Sequence, residues 1–299
     1  MDNMDNNKND IDPQNPKEIS DKKSKKRGPR DYIRTAVMTV CVCVFIGCAV
    51  YLGKYYYEIN HSQSGVKDLR NMIATDDSTS DSTISEDDDP AREFYAYTEV
   101  NGRKVQKKFA DLYEANPDFI GWITIQDTQV DYPVMQYMGD NEFYIHRNFN
   151  KEYDGSGLPF LDINCDYQKP TANLLIYGHN MKAGTMFAQI MKYNDQTFYN
   201  EHPTIRFDTL DEDGEYEVVA AFYSEIYPAD DTTHFKYYKF FDAENEEEFN
   251  DYVTNVIRLS VIDTGIVPEY GDELITLSTC AYHTEDGRFA LVARKIKKN

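Results

Sequence analysis

Glu273-Leu274-Ile275-Thr276-Leu277-Ser278-Thr279-Cys280 and Arg288-Phe289-Ala290-Leu291-Val292-Ala293-Arg294-Lys295-Ile296 are two apolar, β-branched runs of strand length. A polar loop containing His283, Asp286 and Gly287 joins them. If the runs pair as neighbours, the cysteine that closes the first and the arginine that opens the second emerge at the same end of a sheet. A thiol and an always-charged planar donor in that position suit a nucleophile and an oxyanion partner. The plainer reading of Arg288 is a strand-opening arginine held in an ion pair.

Six further segments read as strands: 119–125, 130–136, 158–163, 173–177, 204–207 and 216–223, the last two joined by the turn Asp211-Glu212-Asp213-Gly214. Pro133 marks the second as an edge or bulged strand. Periodicity predicts helices over 103–116, stopped by Pro117, and over 241–259, with Phe249, Tyr252, Val253 and Val256 on one face. A helical turn is expected at 141–146, and a short helix from Gly184-Thr185 with Thr185 as its cap. Eight short strands without a strict strand–helix rhythm imply a mostly β fold: a closed, mostly antiparallel eight-stranded β-barrel with helical insertions.

Before that domain the chain changes character. Residues 1–34 are polar and end in a basic cluster that includes Lys22, Lys23, Lys25, Lys26, Arg27, Arg30 and Arg34. Residues 35–53 carry no charge, and 19 helical residues span roughly 28 Å, the thickness of a bilayer core. The basic flank places the N-terminus in the cytoplasm, and Tyr55-Tyr56-Tyr57 suit the far interface. A cleaved signal peptide would need a shorter charged region and a shorter apolar run. Residues 54–92 hold many acids among Ser and Thr, with no Lys or Arg between Arg70 and Arg92, and are expected to form an extended, disordered tether. The domain proper is expected over 93–299. The expected product is a single-pass membrane protein with its domain outside the cell.

The formal net charge of −21 excludes the basic footprint of a nucleic-acid binder. Of five cysteines, three lie in the apolar run, and no C-x-x-C pair offers a zinc or redox site. Cys165 and Cys280 could form one bridge. Otherwise Cys280, at a strand end facing polar neighbours, is the best nucleophile, and it needs a base. His179 follows the 173–177 run and would also be presented at a strand end; His283 is nearest in sequence. Spacing leaves both open.

Thr276-Leu277-Ser278-Thr279-Cys280, with Arg288 after it and Leu175-Ile176-Tyr177-Gly178-His179 about a hundred residues before, resembles a class B sortase. The resemblance covers about 94–296 and includes Asn116-Pro117-Asp118-Phe119-Ile120-Gly121-Trp122-Ile123, Asp131-Tyr132-Pro133-Val134, Asn141-Glu142-Phe143-Tyr144 and Phe160-Leu161-Asp162. It implies a sortase-like barrel, with His179, Cys280 and Arg288 as catalytic residues. Tyr177 and Ser278, together with Asn141 and Ile145, are implied to line the groove. It also implies transpeptidation: cleavage of a Pro-x-Thr sorting signal after threonine through a Cys thioester, then transfer to an amine of a peptidoglycan precursor or cross-bridge. No metal or organic cofactor is called for. Gly155-Ser156-Gly157-Leu158-Pro159-Phe160 and residues 223–238 depart from the family pattern. A hydrolytic cysteine peptidase with the same residues, and a non-catalytic wall-binding β-domain, are the competing readings.

Overall fold

The computed structural model describes residues 28–77 and 96–297. The chain divides into two units, Met1–Gly53 and Lys54–Asn299. Helix α1, Pro29–Asp77, runs from the first into the second. In the first unit its apolar side chains, among them Val40, Val44, Phe45 and Val50, are exposed, and nothing among the described residues buries them. This is a helix long and apolar enough to cross a membrane.

Where an extended tether is expected over 54–92, residues 54–77 are instead helical. Val66 and Ile73 are buried there, Leu69 is partly so, and the three fall on one helical face. Arg70 lies over the Trp122 ring at 5.6 Å and pairs with Asp131 at 3.5 Å. The three-and-four spacing of Val66, Leu69 and Ile73 carries this helix; the acids that suggest a tether cluster further on. The remainder of that segment, 78–92, and the basic tail up to residue 27 lie outside the described residues.

A hairpin of β1 (Tyr97–Val100) and β2 (Arg103–Gln106) opens the domain. It corrects the helix expected over 103–116, of which only α2, Ala110–Ala115, and a 3₁₀ turn before it are helical. Asn101-Gly102, both at positive φ, supply the tight turn, and the Gln106 N–H is claimed by the Leu210 carbonyl at 2.7 Å. Tertiary pairing here overrides helical propensity.

The barrel comprises β3 (Phe119–Thr124), β4 (Asp131–Met135), β5 (Phe160–Leu161), β6 (Asn173–Tyr177), β7 (Thr204–Thr209), β8 (Glu215–Glu225), β9 (Leu274–Cys280) and β10 (Gly287–Lys295). It closes in the order β10-β8-β7-β3-β4-β5-β6-β9. Neighbours are antiparallel except β4–β5 and β6–β9. β5 is shorter than expected because β4 and β5 meet only at Met135–Phe160. That brief contact leaves the second side of Pro133 without a ladder partner, so its missing N–H goes unmissed.

Helical insertions lie between β6 and β7 and between β8 and β9. The first contains a 3₁₀ helix, Phe187–Asn194, and α3, Gln196–Glu201. Thr185 does not cap it: Met186, at φ 58°, precedes the helix, and the buried Thr185 Oγ1 has no hydrogen-bond partner among the described residues. The second carries α4, Glu246–Leu259, which starts later than expected because Asn245 caps it and three glutamates fill its first turn. α4 buries Phe249, Tyr252, Val253 and Val256 against the barrel.

Candidate active site

Parallel pairing of β6 with β9 places their C-terminal ends side by side, with Tyr177 opposite Ser278. Gly178 N–H continues the ladder to Ser278 O at 3.0 Å, and Thr279 Oγ1 donates to Gly178 O at 2.7 Å. One residue further, Asn180 Nδ2 donates to the Cys280 carbonyl at 2.8 Å. His179 and Cys280 therefore leave the sheet together. Gly178 is required there, since a Cβ would stand 2.6 Å from the Phe187 ring. Antiparallel β10 sets Arg288 directly opposite Cys280.

These ends form a cleft of about 290 Å³ lined by Asn141, Glu142, Ile145, Leu158, Phe160, Tyr177, Gly178, His179, Ile226, Ser278, Thr279, Cys280 and Arg288. Every site residue that the resemblance implies is in this lining.

The Cys280 thiol is free and partly exposed. His179 Nε2 donates to the Ile145 carbonyl at 2.8 Å, which leaves Nδ1 as the nitrogen able to accept a proton. Its ring stacks on His146 at 5.1 Å. Burial lowers the His179 pKa below 6.5; the Ile145 carbonyl opposes this and the neighbouring His146 adds to it. Gly157, at φ 56°, packs under the same carbonyl, where a Cβ would lie 2.2 Å from the Ile145 oxygen. The unusual Gly-Ser-Gly segment thus lets the strand approach closely behind the histidine's anchor.

Arg288 Nη1 donates to the Asp286 and Gly287 carbonyls at 3.1 and 3.0 Å. Among the described residues no carboxylate pairs with it, contrary to the plainer reading of a strand-opening ion pair. Tyr177 donates its hydroxyl to Asp162 at 3.1 Å, and Asn141 Nδ2 donates to the same carboxylate oxygen at 3.1 Å. Ser278 is only 1 % exposed, with its Oγ bonded to the Tyr237 hydroxyl at 2.7 Å, so it shapes the cleft floor.

His283 does not line the cleft; it packs edge-on against Tyr223. Cys165 is buried and free, its thiol pushed up to about 12 by burial, and no bridge joins it to Cys280. Among the described residues no three His, Cys, Asp or Glu side chains converge as a metal site. Sequence reasoning missed Ile226 and Tyr237, which belong to the segment without family pattern, and the anchoring role of Asn180. Asn180 could have been suspected, since it directly follows Tyr177-Gly178-His179.

A closed eight-stranded barrel presenting a cysteine beside a histidine and an arginine at its strand ends matches the sortase-domain family model over residues 123–296. The chain belongs to the sortase family, the cysteine transpeptidases. Within it the likeness is to sortase B. The chain is 31% identical to sortase B of Listeria monocytogenes over 271 residues, covering 90% of this chain and 99% of that protein. The solved Staphylococcus aureus sortase B–substrate complex superposes with a TM-score of 0.65 at 25% identity, over 81% of this chain and 99% of the other. A solved sortase B in complex with triglycine matches with a TM-score of 0.57 at 30% identity, over 64% of this chain and 86% of that one.

Proposed function

We propose that this chain is a membrane-anchored transpeptidase that cleaves a surface protein's C-terminal Pro-x-Thr sorting signal after threonine and joins the new carboxyl end to a cell-wall amine. The observation that carries this reading is the meeting of His179, Cys280 and Arg288 on three strand ends around one cleft. His179, held neutral by burial, takes the Cys280 proton at Nδ1. The thiolate sulfur bonds to the threonine carbonyl carbon, and Arg288 stabilises the oxyanion. The C–N bond then breaks as His179 returns the proton to the departing amine, leaving a thioester on Cys280. An amine of a peptidoglycan precursor or cross-bridge attacks that thioester, an amide forms, and Cys280 leaves as the thiol. A solved sortase B is complexed with triglycine, a peptide that carries a free terminal amine, which makes triglycine a rational acceptor to test here.

The basic cluster before the apolar helix supports a cytoplasmic N-terminus and an extracellular domain. The test of activity is mass spectrometry of products from Asn-Pro-x-Thr, Leu-Pro-x-Thr and Ser-Pro-x-Thr peptides, with and without triglycine. Cleavage after threonine, an amide product with triglycine, and no turnover by Cys280→Ala are expected. Turnover by Cys280→Ala would end this assignment. A product mixture that ignores triglycine would make the enzyme a peptidase.

A further inference from the structure

Asp162 follows β5 immediately and is only 4 % exposed, yet four hydrogen bonds converge on its carboxylate and all come from donors. Oδ1 accepts from the Asn164 backbone N–H at 2.9 Å and from its side-chain amide at 2.8 Å. Oδ2 accepts from the Tyr177 hydroxyl and from Asn141 Nδ2, each at 3.1 Å. Asn141 is fixed from its other end too, because its Oδ1 accepts from the Ile163 N–H at 3.0 Å. Both Tyr177 and Asn141 line the cleft; Asp162 does not.

A carboxylate has no hydrogen to give, and a tyrosine hydroxyl has only one. Tyr177, a residue of the cleft wall, therefore spends its hydrogen on Asp162, and its oxygen keeps only lone pairs for any further partner. Asn141, its carbonyl held by Ile163, keeps its amide end on Asp162 and has one N–H left. Burial first, and then the Asp162 charge, push the Tyr177 pKa far up, so its hydroxyl stays protonated through the neutral range.

We propose that Asp162 is a positioning residue that sets the hydrogen-bond polarity of the cleft wall, holding Tyr177 as an acceptor for a backbone N–H of an extended peptide substrate. This rests on the peptide-transfer reading of the cleft. Asp162→Asn keeps the shape but presents either a donor or a halved acceptor to Tyr177 and Asn141, and Tyr177→Phe removes the hydroxyl.

The experiment is a double-mutant cycle on the full chain in detergent, using the peptide that the wild type cleaves best. Each single variant lowers kcat/KM about tenfold, mainly through KM, which is the scale of one charge-assisted hydrogen bond. The double variant falls well short of the product of the two losses. Alkylation of Cys280 by iodoacetamide runs at the wild-type rate in all three, which a general distortion of the site would not allow. Losses that multiply, or alkylation that slows in step with turnover, would overturn the inference.

Should Asp162→Asn not fold, depsipeptides supply the second measurement. In these, each amide N–H other than that of the scissile bond is replaced in turn by an ester oxygen. One of them loses about tenfold on the wild type and no more than the others on Tyr177→Phe; an unchanged pattern on Tyr177→Phe overturns the inference. If the wild type cleaves no peptide, or Cys280→Ala still turns over, the peptide-transfer reading fails and takes this one with it. A dead Cys280→Ala beside a multiplicative cycle removes Asp162 alone.

Discussion

Replacing Arg288 by lysine keeps the charge and removes the fork, and the geometry says what that should cost. Nη1 is committed to the Asp286 and Gly287 carbonyls, so the loop after β9 holds one corner of the guanidinium. Nε and Nη2 have no partner among the described residues and remain for an oxyanion. A lysine ammonium offers a single point. If it keeps the loop carbonyls it abandons the oxyanion, and if it turns to the oxyanion it frees the loop. Either way about one transition-state donor is lost, worth roughly 10²–10³ in the rate of the chemical step, or about 3–4 kcal/mol. The retained charge puts Arg288→Lys near the lower end, about a hundredfold. The assay is single-turnover thioester formation on Cys280, quenched rapidly and followed by intact-mass spectrometry at saturating peptide. The expected result is slow acylation with KM almost unchanged, because the interaction exists only in the transition state. Iodoacetamide alkylation forms no oxyanion and should be unaffected. Acylation within about threefold of wild type, or an equal loss in alkylation, would refute an oxyanion role for Arg288.

The acidic limb of kcat/KM should lie below pH 6.5, because burial keeps the His179 imidazole from charging. His146→Gln removes a second imidazole from its face, so the limb should move to higher pH; a shift to lower pH would contradict that electrostatic coupling. The linked stability has a fixed sign. The folded chain binds this proton less readily than the unfolded one, so stability rises with pH between the lowered value and 6.5. Thr276→Val should leave Asn173 Oδ1 and the Tyr252 hydroxyl without the partner they share at 2.8 and 3.2 Å. The cost is about 2–4 kcal/mol, or a Tm lower by about 10 °C in thermal unfolding followed by circular dichroism; a fall under about 3 °C would mean those groups find other partners. Protease added outside intact cells should remove the domain and spare the N-terminal tail, and protection of the domain would reverse the proposed topology.

The strands that carry the site were legible because they are dense in β-branched residues and bounded by polar turns. The 173–177 run coincides with β6, and the last two runs with β9 and β10. The pairing of His179 with Cys280 was not legible from spacing. It depends on a parallel contact between strands a hundred residues apart, which leaves no local mark, and His283 is far closer along the chain. The resemblance supplied that choice, and the β6–β9 register supplies its physical reason. The β1–β2 hairpin was legible in Asn101-Gly102 but was masked by apolar spacing around Val105, Phe109 and Leu112 that also suits a helix. The helical stretch through Val66, Leu69 and Ile73 was masked in the opposite way, by the acidic residues that follow it.

Parallel pairing of β6 and β9 has a further consequence for Thr276-Leu277-Ser278-Thr279. Everything between the two strands must cross over, and the second insertion settles on the outer face of β9. Polar side chains on a buried central strand would be costly if left alone. Here each hydroxyl has a partner: Thr276 meets Tyr252 and Asn173, Ser278 meets Tyr237, and Thr279 meets the Gly178 carbonyl. Tyr237 and Tyr252 both come from the insertion, so the covering layer and the strand fix one another in register. With Asn180 holding the Cys280 carbonyl, the last turn of the strand has little freedom to slide or twist. The polar residues ahead of the cysteine therefore act through rigidity: they keep the thiol opposite Arg288 and beside His179, within a tolerance that acyl transfer demands.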